Sequence, residues 1–107
     1  MLRRYAMFVG QPRPGMEDAM RAYVHEKLAP LWRQFDGAAK VELLWAEAND
    51  PNGDDIPLTL AVTYADEAAM AKALDCPARY ESRDLLPEFF ATYFDGKLLH
   101  YTMRVEG

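Results

Sequence analysis

The sequence predicts an α+β domain in which helices cover one face of a four-stranded antiparallel sheet. Three observations carry this prediction. The chain has 107 residues, which is enough for one domain. Four short segments are apolar enough for strands, and the segments between them have the three- and four-residue apolar spacing of helices. The resulting order, β-α-β-β-α-β, is the ferredoxin-like or split βαβ arrangement, so we expect a single domain over residues 1–107.

The first half of the chain predicts a strand followed by a long helix. Residues 3–10 are apolar and are followed by a turn rich in Gly and Pro. Apolar side chains then recur at helical spacing over residues 16–35 and form a single stripe. Pro30 lies within this stripe and predicts a kink or break about one turn earlier. Gly37 is suited to ending the helix.

The second half predicts a hairpin, a helical region and a last strand. Residues 40–48 and 57–64 are predicted strands on either side of an acidic loop that contains an Asn-Gly turn signal. Asp66 is suited to capping a helix over residues 67–74, and Pro77 prevents that helix from continuing. Pro87 is suited to beginning a further, aromatic-rich helix. Asp95-Gly96 predicts a turn, and residues 97–105 predict the last strand.

Composition excludes several classes of function. The formal net charge is −5 and there is no basic stripe, which argues against nucleic-acid binding. The one cysteine, Cys76, excludes an internal disulfide and a multi-cysteine metal site. No apolar run approaches the ~20 residues of a membrane span, and no secretory signal is evident, so we expect no membrane partner and a cytoplasmic protein. No motif indicates a metal or a cofactor, and we expect neither.

Strand alternation predicts which side chains face the helices, because successive side chains point to opposite faces. The larger, more apolar set is expected to pack against the helices: Tyr5, Met7, Val9, Val41, Leu43, Trp45, Leu58, Leu60, Val62, Tyr64, Leu99, Tyr101, Met103 and Val105. The opposite set is smaller and more polar: Arg4, Ala6, Phe8, Glu42, Leu44, Ala46, Thr59, Ala61, Thr63, Leu98, His100, Thr102 and Arg104. Since two helical segments can cover only one face, we expect the second face to be partly buried by another subunit and to line a ligand pocket.

The candidate site residues lie in this second set. His100 has a side chain that exchanges protons near neutral pH, and Arg104 could stabilise negative charge, so both are candidate catalytic residues. Thr59, Thr63 and Thr102 are candidate ligand-binding hydroxyls, and Ala61 would leave room for a ligand. The structural alternative is a His100 that is merely hydrogen-bonded in a subunit interface.

Short motifs along nearly the whole chain resemble the EthD-like family of the dimeric α+β-barrel superfamily. Members typically have a first strand, a basic Pro-Gly turn, and a helix with an aromatic pair followed by His-x-Pro-Leu. The corresponding residues here are Arg13-Pro14-Gly15-Met16, Tyr23-Val24 and Leu28-Ala29-Pro30-Leu31. Further counterparts are the strand over residues 58–64, the acidic helix start at 66–70, the spaced Asp84 and Phe89, and the last strand over 98–105. Leu28 occupies the position of the family's histidine, whose role therefore cannot be transferred to His25.

The resemblance implies a homodimer in which two sheets face each other as a barrel. It implies no single reaction, since such a fold supports many functions. Two functions remain open. One is a cofactor-independent enzyme of the monooxygenase, isomerase or cyclase type that acts on a small hydrophobic or aromatic metabolite. The other is a non-catalytic, dimeric small-molecule-binding or accessory protein of a degradation pathway.

Overall fold

Four strands form one antiparallel sheet in a computed structural model that describes residues 1–107. The strands are β1 (Leu2–Pro12), β2 (Ala38–Trp45), β3 (Leu58–Tyr64) and β4 (Phe94–Arg104). Their order across the sheet is β2-β3-β1-β4, and every neighbouring pair is antiparallel. The two longest strands, β1 and β4, therefore lie side by side, with β4 at one edge.

The helices pack on one face of this sheet. They are α1 (Glu17–Tyr23), a π-helical turn (Val24–Leu28), α2 (Ala29–Trp32), α3 (Glu67–Leu74), α4 (Pro77–Asp84) and α5 (Leu86–Thr92). The predicted fold class, a ferredoxin-like α+β domain, is confirmed. None of the helices combines the length and the apolar character that crossing a membrane requires.

Pro30 explains the break in the first helical segment. Proline has no N–H to donate, and its ring clashes with the carbonyl four residues earlier in a regular α-helix. Here the backbone widens just before it, and the Ala29 N–H donates to the Val24 carbonyl oxygen, a five-residue π-type hydrogen bond. The predicted break one turn before Pro30 is thus a π-helical turn, which keeps Val24, Leu28 and Ala29 fully buried.

The pairing of β1 with β4 extends further than the sequence predicted. Gly10 lies opposite Gly96, so the predicted turn at Asp95-Gly96 is instead part of a long strand. A Cβ atom on Gly10 would collide with the Asp95 carbonyl oxygen, and one on Gly96 would collide with that of Val9. Gly10 also has a φ of +144°, a value that side-chain-bearing residues rarely adopt. Two glycines are therefore needed for the close approach of these strands.

The strand register corrects the predicted facing of β1 and β4. Ala6 pairs with Leu60 on one side and His100 on the other, which places all three on the helix-covered face. The prediction was right for β2 and β3 and reversed for β1 and β4. Both faces of β1 are apolar, so its own alternation favours neither: Tyr5 and Met7 are larger on average than Ala6 and Phe8, yet they lie on the open face.

An aromatic cluster centred on Phe8 joins the sheet to the helices. Phe8 is 1% exposed and its ring centroid lies 5.5 Å from that of Phe89, in an edge-to-face arrangement. The Trp32 centroid lies 6.1 Å away and the Phe94 centroid 6.2 Å away. Such aromatic pairs add about 0.5–1.5 kcal/mol each beyond their burial, so this cluster fixes the face on which the helices pack.

Phe89→Ala should lower the free energy of unfolding by about 3–5 kcal/mol, because Phe89 is completely buried and its ring contacts several others. Urea unfolding followed by circular dichroism measures this loss. The half-buried Phe35 is the matched comparison, and its alanine variant should lose clearly less. An equal loss in both variants would show that the aromatic cluster is not the centre of the core.

Candidate functional site

A cavity of about 130 Å³ lies between the helix-covered face of the sheet and the helices above it. Its wall is mainly apolar, with Ala6, Phe8, Trp32, Phe35, Leu60, Val62, Leu74, Leu86 and Leu98 as the apolar lining residues. A void of about 150 Å³ accommodates a benzene ring, so this cavity has the size for one ring or a short chain. Ala6 creates room in the floor, because it is the small residue between larger neighbours on β3 and β4.

The strand register gives the cavity an apolar end and a polar end. At one end Phe8 pairs with Leu58 and Leu98. Two residues along β1, Ala6 lies beside His100, and two further along, Arg4 pairs with Val62. Since same-face residues on a strand are separated by about 6.6 Å, the floor changes from apolar to cationic over about 13 Å.

The polar end carries positive charge without carboxylate partners. Arg4 from β1 and both Arg79 and Arg83 from α4 line the cavity, and no acidic residue does. The chain's two ion pairs, Lys40–Glu42 and Arg104–Glu67, lie elsewhere. Burial, and then the charge of Arg79, lowers the pKa of the Arg4 guanidinium. The two arginines are therefore close enough to repel each other in a partly buried site.

The side chain of Tyr64 adds a buried hydroxyl to this end. Tyr64 is 0% exposed and lines the cavity, yet its hydroxyl oxygen has no hydrogen-bond partner in the chain. Burial raises the pKa of Tyr64 to about 12, although the charges of Arg4 and Arg79 act in the opposite direction. The phenol is thus neutral at physiological pH and can donate a hydrogen bond. Leaving such a group unpaired costs roughly 1–3 kcal/mol.

His100 lies at the exposed mouth of the cavity. Partial burial of the imidazole lowers the pKa of His100, and the positive charges of Arg4 and Arg79 lower it further. The neutral form is therefore favoured at neutral pH, and a neutral imidazole can accept a proton.

The remaining candidate site residues are not brought together with His100. Thr102 and Arg104 lie on the same face of β4, but both are exposed beyond the cavity, and an Arg104 Nη lies 3.7 Å from a Glu67 carboxylate oxygen. Thr59, Ala61 and Thr63 lie on the opposite, open face of β3. The strand reversal is the cause: candidates from β3 and β4 that seemed to share a face lie on different faces. Their roles in binding or catalysis stay predictions.

Other reactive side chains lie away from the cavity lining. The Cys76 thiol is buried at the start of α4, and the His25 ring is tilted against that of Trp45, with centroids 5.8 Å apart. No group of three His, Cys, Asp or Glu side chains is arranged to hold a metal ion.

Sequence reasoning missed Tyr64 and Arg79 as site residues. Tyr64 was assigned to the core, although a tyrosine in an otherwise aliphatic strand needs a partner for its hydroxyl and was a usable signal. Arg79 gave no signal, because only the packing of α4 over β1 brings its guanidinium near Arg4.

No protein-family model matches the chain, and none of the curated protein sequences does. Solved structures do match it. An EthD family protein from Bacillus halodurans superposes with a TM-score of 0.75 at 17% identity, covering 99% of this chain and 100% of that one. The chain therefore shares its fold, a ferredoxin-like α+β domain, with this protein.

Two further structures support this assignment. A putative antibiotic biosynthesis monooxygenase from Deinococcus radiodurans has a TM-score of 0.64 at 16% identity, with coverage of 100% and 94%. A dimeric ferredoxin-like protein of unknown function from Jannaschia sp. has a TM-score of 0.67 at 16% identity, with coverage of 97% and 98%. The resemblance to the EthD-like family is thereby confirmed in the fold, while identities this low leave the activity open.

The lowered pKa of His100 predicts a pH dependence of stability. The unfolded chain binds a proton near the ordinary pKa of 6.5, whereas the folded protein binds it only at lower pH. Folding stability is therefore lost as the pH falls from about 6.5 toward the folded-state pKa. His100→Gln should lose less stability than the wild type between pH 7.5 and 5.5 in urea unfolding. Equal losses in the two proteins would contradict the assigned environment of His100.

Proposed function

We propose that the protein binds a small hydrophobic or aromatic metabolite in the cavity between sheet and helices, and transfers a proton on it through His100 without a cofactor. The observation that carries this proposal is the neutral imidazole at the mouth of a ring-sized apolar cavity. The apolar wall excludes water from the bound ligand, and nearby guanidinium groups favour negative charge that develops on it.

The proposed step is enolisation or a related proton transfer. His100 takes a proton from a carbon next to a carbonyl group, the electron pair of the C–H bond moves toward the carbonyl oxygen, and the proton is later returned. Arg4 and Arg79 are better placed than Arg104 to stabilise the resulting oxyanion, because they line the cavity and have no carboxylate partner. A positioned general base contributes about 10²–10⁴-fold to such a reaction.

Deuterium exchange of phenylacetone tests this function. In D₂O, the wild type should accelerate exchange at the benzylic carbon, as measured by NMR. His100→Gln should reduce that acceleration at least about 10²-fold and leave binding of phenylacetone nearly unchanged. The control is His25→Gln, since His25 lies outside the cavity lining. Exchange that is equal in wild type and His100→Gln contradicts a catalytic His100.

The second candidate function is non-catalytic binding, as a small-molecule carrier or accessory protein. The exposure of His100 and the absence of a second base among the cavity-lining residues favour it. Binding of phenylacetone without any exchange above that of the buffer would support this function.

We further propose that two copies associate through the open faces of their sheets. Tyr101 and Met103 lie on the open face of β4, and Val105 follows directly after the strand; they are 45%, 52% and 41% exposed. Leu44 adds an exposed apolar side chain to the same face at the opposite edge of the sheet, on β2. A second copy is the favoured partner, because a two-fold contact pairs the same patch with itself, and because a solved protein of this fold is described as dimeric.

Met103→Lys should shift the protein from dimer to monomer, because it places a charge in the proposed interface. Light scattering at micromolar concentration measures the mass. Thr102→Lys is the matched control: it introduces the same charge at the next residue, on the opposite face of β4, and should stay dimeric. The interface should exceed the ~1,000 Å² of a specific contact. A monomeric wild type would contradict this assembly.

A further inference from the structure

The polar end of the cavity holds three hydrogen-bond-donating side chains that have no carboxylate partner in the chain. The guanidinium groups of Arg4 and Arg79 have no carboxylate partner, and the Tyr64 hydroxyl has no partner of any kind. The chain as a whole is acidic, with a formal net charge of −5, so a cluster of arginines with no carboxylate among them at one end of a cavity stands out from its composition. A buried donor without an acceptor is costly, and folded proteins retain few of them.

We infer that this end of the cavity binds a carboxylate, and that the cavity's ligand is a small monocarboxylate with one ring or a short apolar chain. The inference rests on the proposed function, because it names the ligand class of the same cavity. The carboxylate lies by Arg4, Tyr64 and Arg79, and the apolar body extends toward Phe8 and Leu98.

The donors match an anion in both charge and chemistry. Arg79 Nη1 donates to the Leu74 carbonyl oxygen at 3.2 Å, which anchors the side chain at the end of α3 and leaves most of its five N–H donors free. The phenol of Tyr64 stays protonated at neutral pH, since its pKa is raised to about 12. The guanidinium groups offer donors and no acceptor, their positive charge repels a cation, and the phenol can donate its proton to an anion, so an anionic ligand is favoured.

The size of the cavity selects a carboxylate with a small apolar body. A carboxylate has two oxygens with about four acceptor sites, enough for donors from all three side chains. The cavity volume of about 130 Å³ limits the apolar body to about one ring, while the carboxylate lies among the partly exposed arginines at the polar end. The apolar lining at the Phe8 end would be poorly matched to a second charged group.

Benzoate and benzamide test the inference, because they have nearly the same shape and differ in charge. Isothermal titration calorimetry at pH 7.5 should show the wild type binding benzoate at least about tenfold more tightly than benzamide, since hydrogen bonds to a charged acceptor are stronger than those to a neutral one. Tyr64→Phe should bind benzoate at least about tenfold more weakly and benzamide nearly as the wild type does.

Tyr64→Phe also keeps the test independent of folding. The variant retains the buried ring and removes only the unpaired hydroxyl, so its melting temperature without ligand should equal or exceed that of the wild type. Arg79→Gln should likewise weaken benzoate binding at least about tenfold. Arg33→Gln removes the same charge at an exposed position outside the cavity lining and should leave benzoate binding unchanged.

The outcomes separate this inference from the proposed function. Equal affinities of the wild type for benzoate and benzamide, or unchanged benzoate binding in Tyr64→Phe, would overturn the carboxylate site and leave a neutral-ligand cavity intact. Binding of neither compound nor of phenylacetone would overturn the cavity's proposed function as well. A benzoate preference lost equally in Arg33→Gln would show a general charge effect and would also overturn the site.

Discussion

The packing of Phe8 against the helices decides the arrangement of the whole molecule. Its ring is almost completely buried among Trp32, Phe89, Phe90 and Phe94, which come from three different segments of the chain. Once Phe8 faces the helices, alternation along β1 turns the side chains of Ala6 and Arg4 to the same face. The antiparallel partners follow through the register, so His100 is placed at the cavity because Phe8 is placed in the core.

The same constraint makes the site electrostatically unusual. Arg4 is carried to the helix-covered face by its position four residues before Phe8, although a strand that faces a core seldom holds an arginine. The protein tolerates it because Arg4 is only half-buried at this end of the cavity, although α4 places the like charge of Arg79 nearby. The repulsion between the two arginines reduces the stability of the fold, and so does the unpaired hydroxyl of Tyr64. Such a loss of stability is typical of sites arranged for a ligand rather than for packing.

Several parts of the fold were predictable because they depend on local chemistry. The Asp66 side chain accepts a hydrogen bond from the Ala69 N–H at 2.9 Å, as expected of a helix cap. Pro30 lacks an N–H wherever it is placed, so the interruption of the first helix could be located within one turn. The end of β1 could not be predicted equally well. Gly10 and Gly96 have the composition of turns, and only their mutual pairing, at a separation too close for a Cβ atom, makes them strand residues.

The sequence by itself determined the element order, the fold class and the candidate His100, because apolar periodicity, caps and prolines act within a few residues of one another. Tertiary structure alone decided which face of β1 and β4 the helices cover. Both faces of β1 are apolar, since one packs under the helices and the other forms the exposed apolar surface of the sheet, and a strand's own alternation cannot distinguish them. For that reason the sequence grouped His100 with Thr59, Ala61 and Thr63, whereas the fold placed it beside Arg4 and Arg79, residues far apart in the chain that only packing brings together.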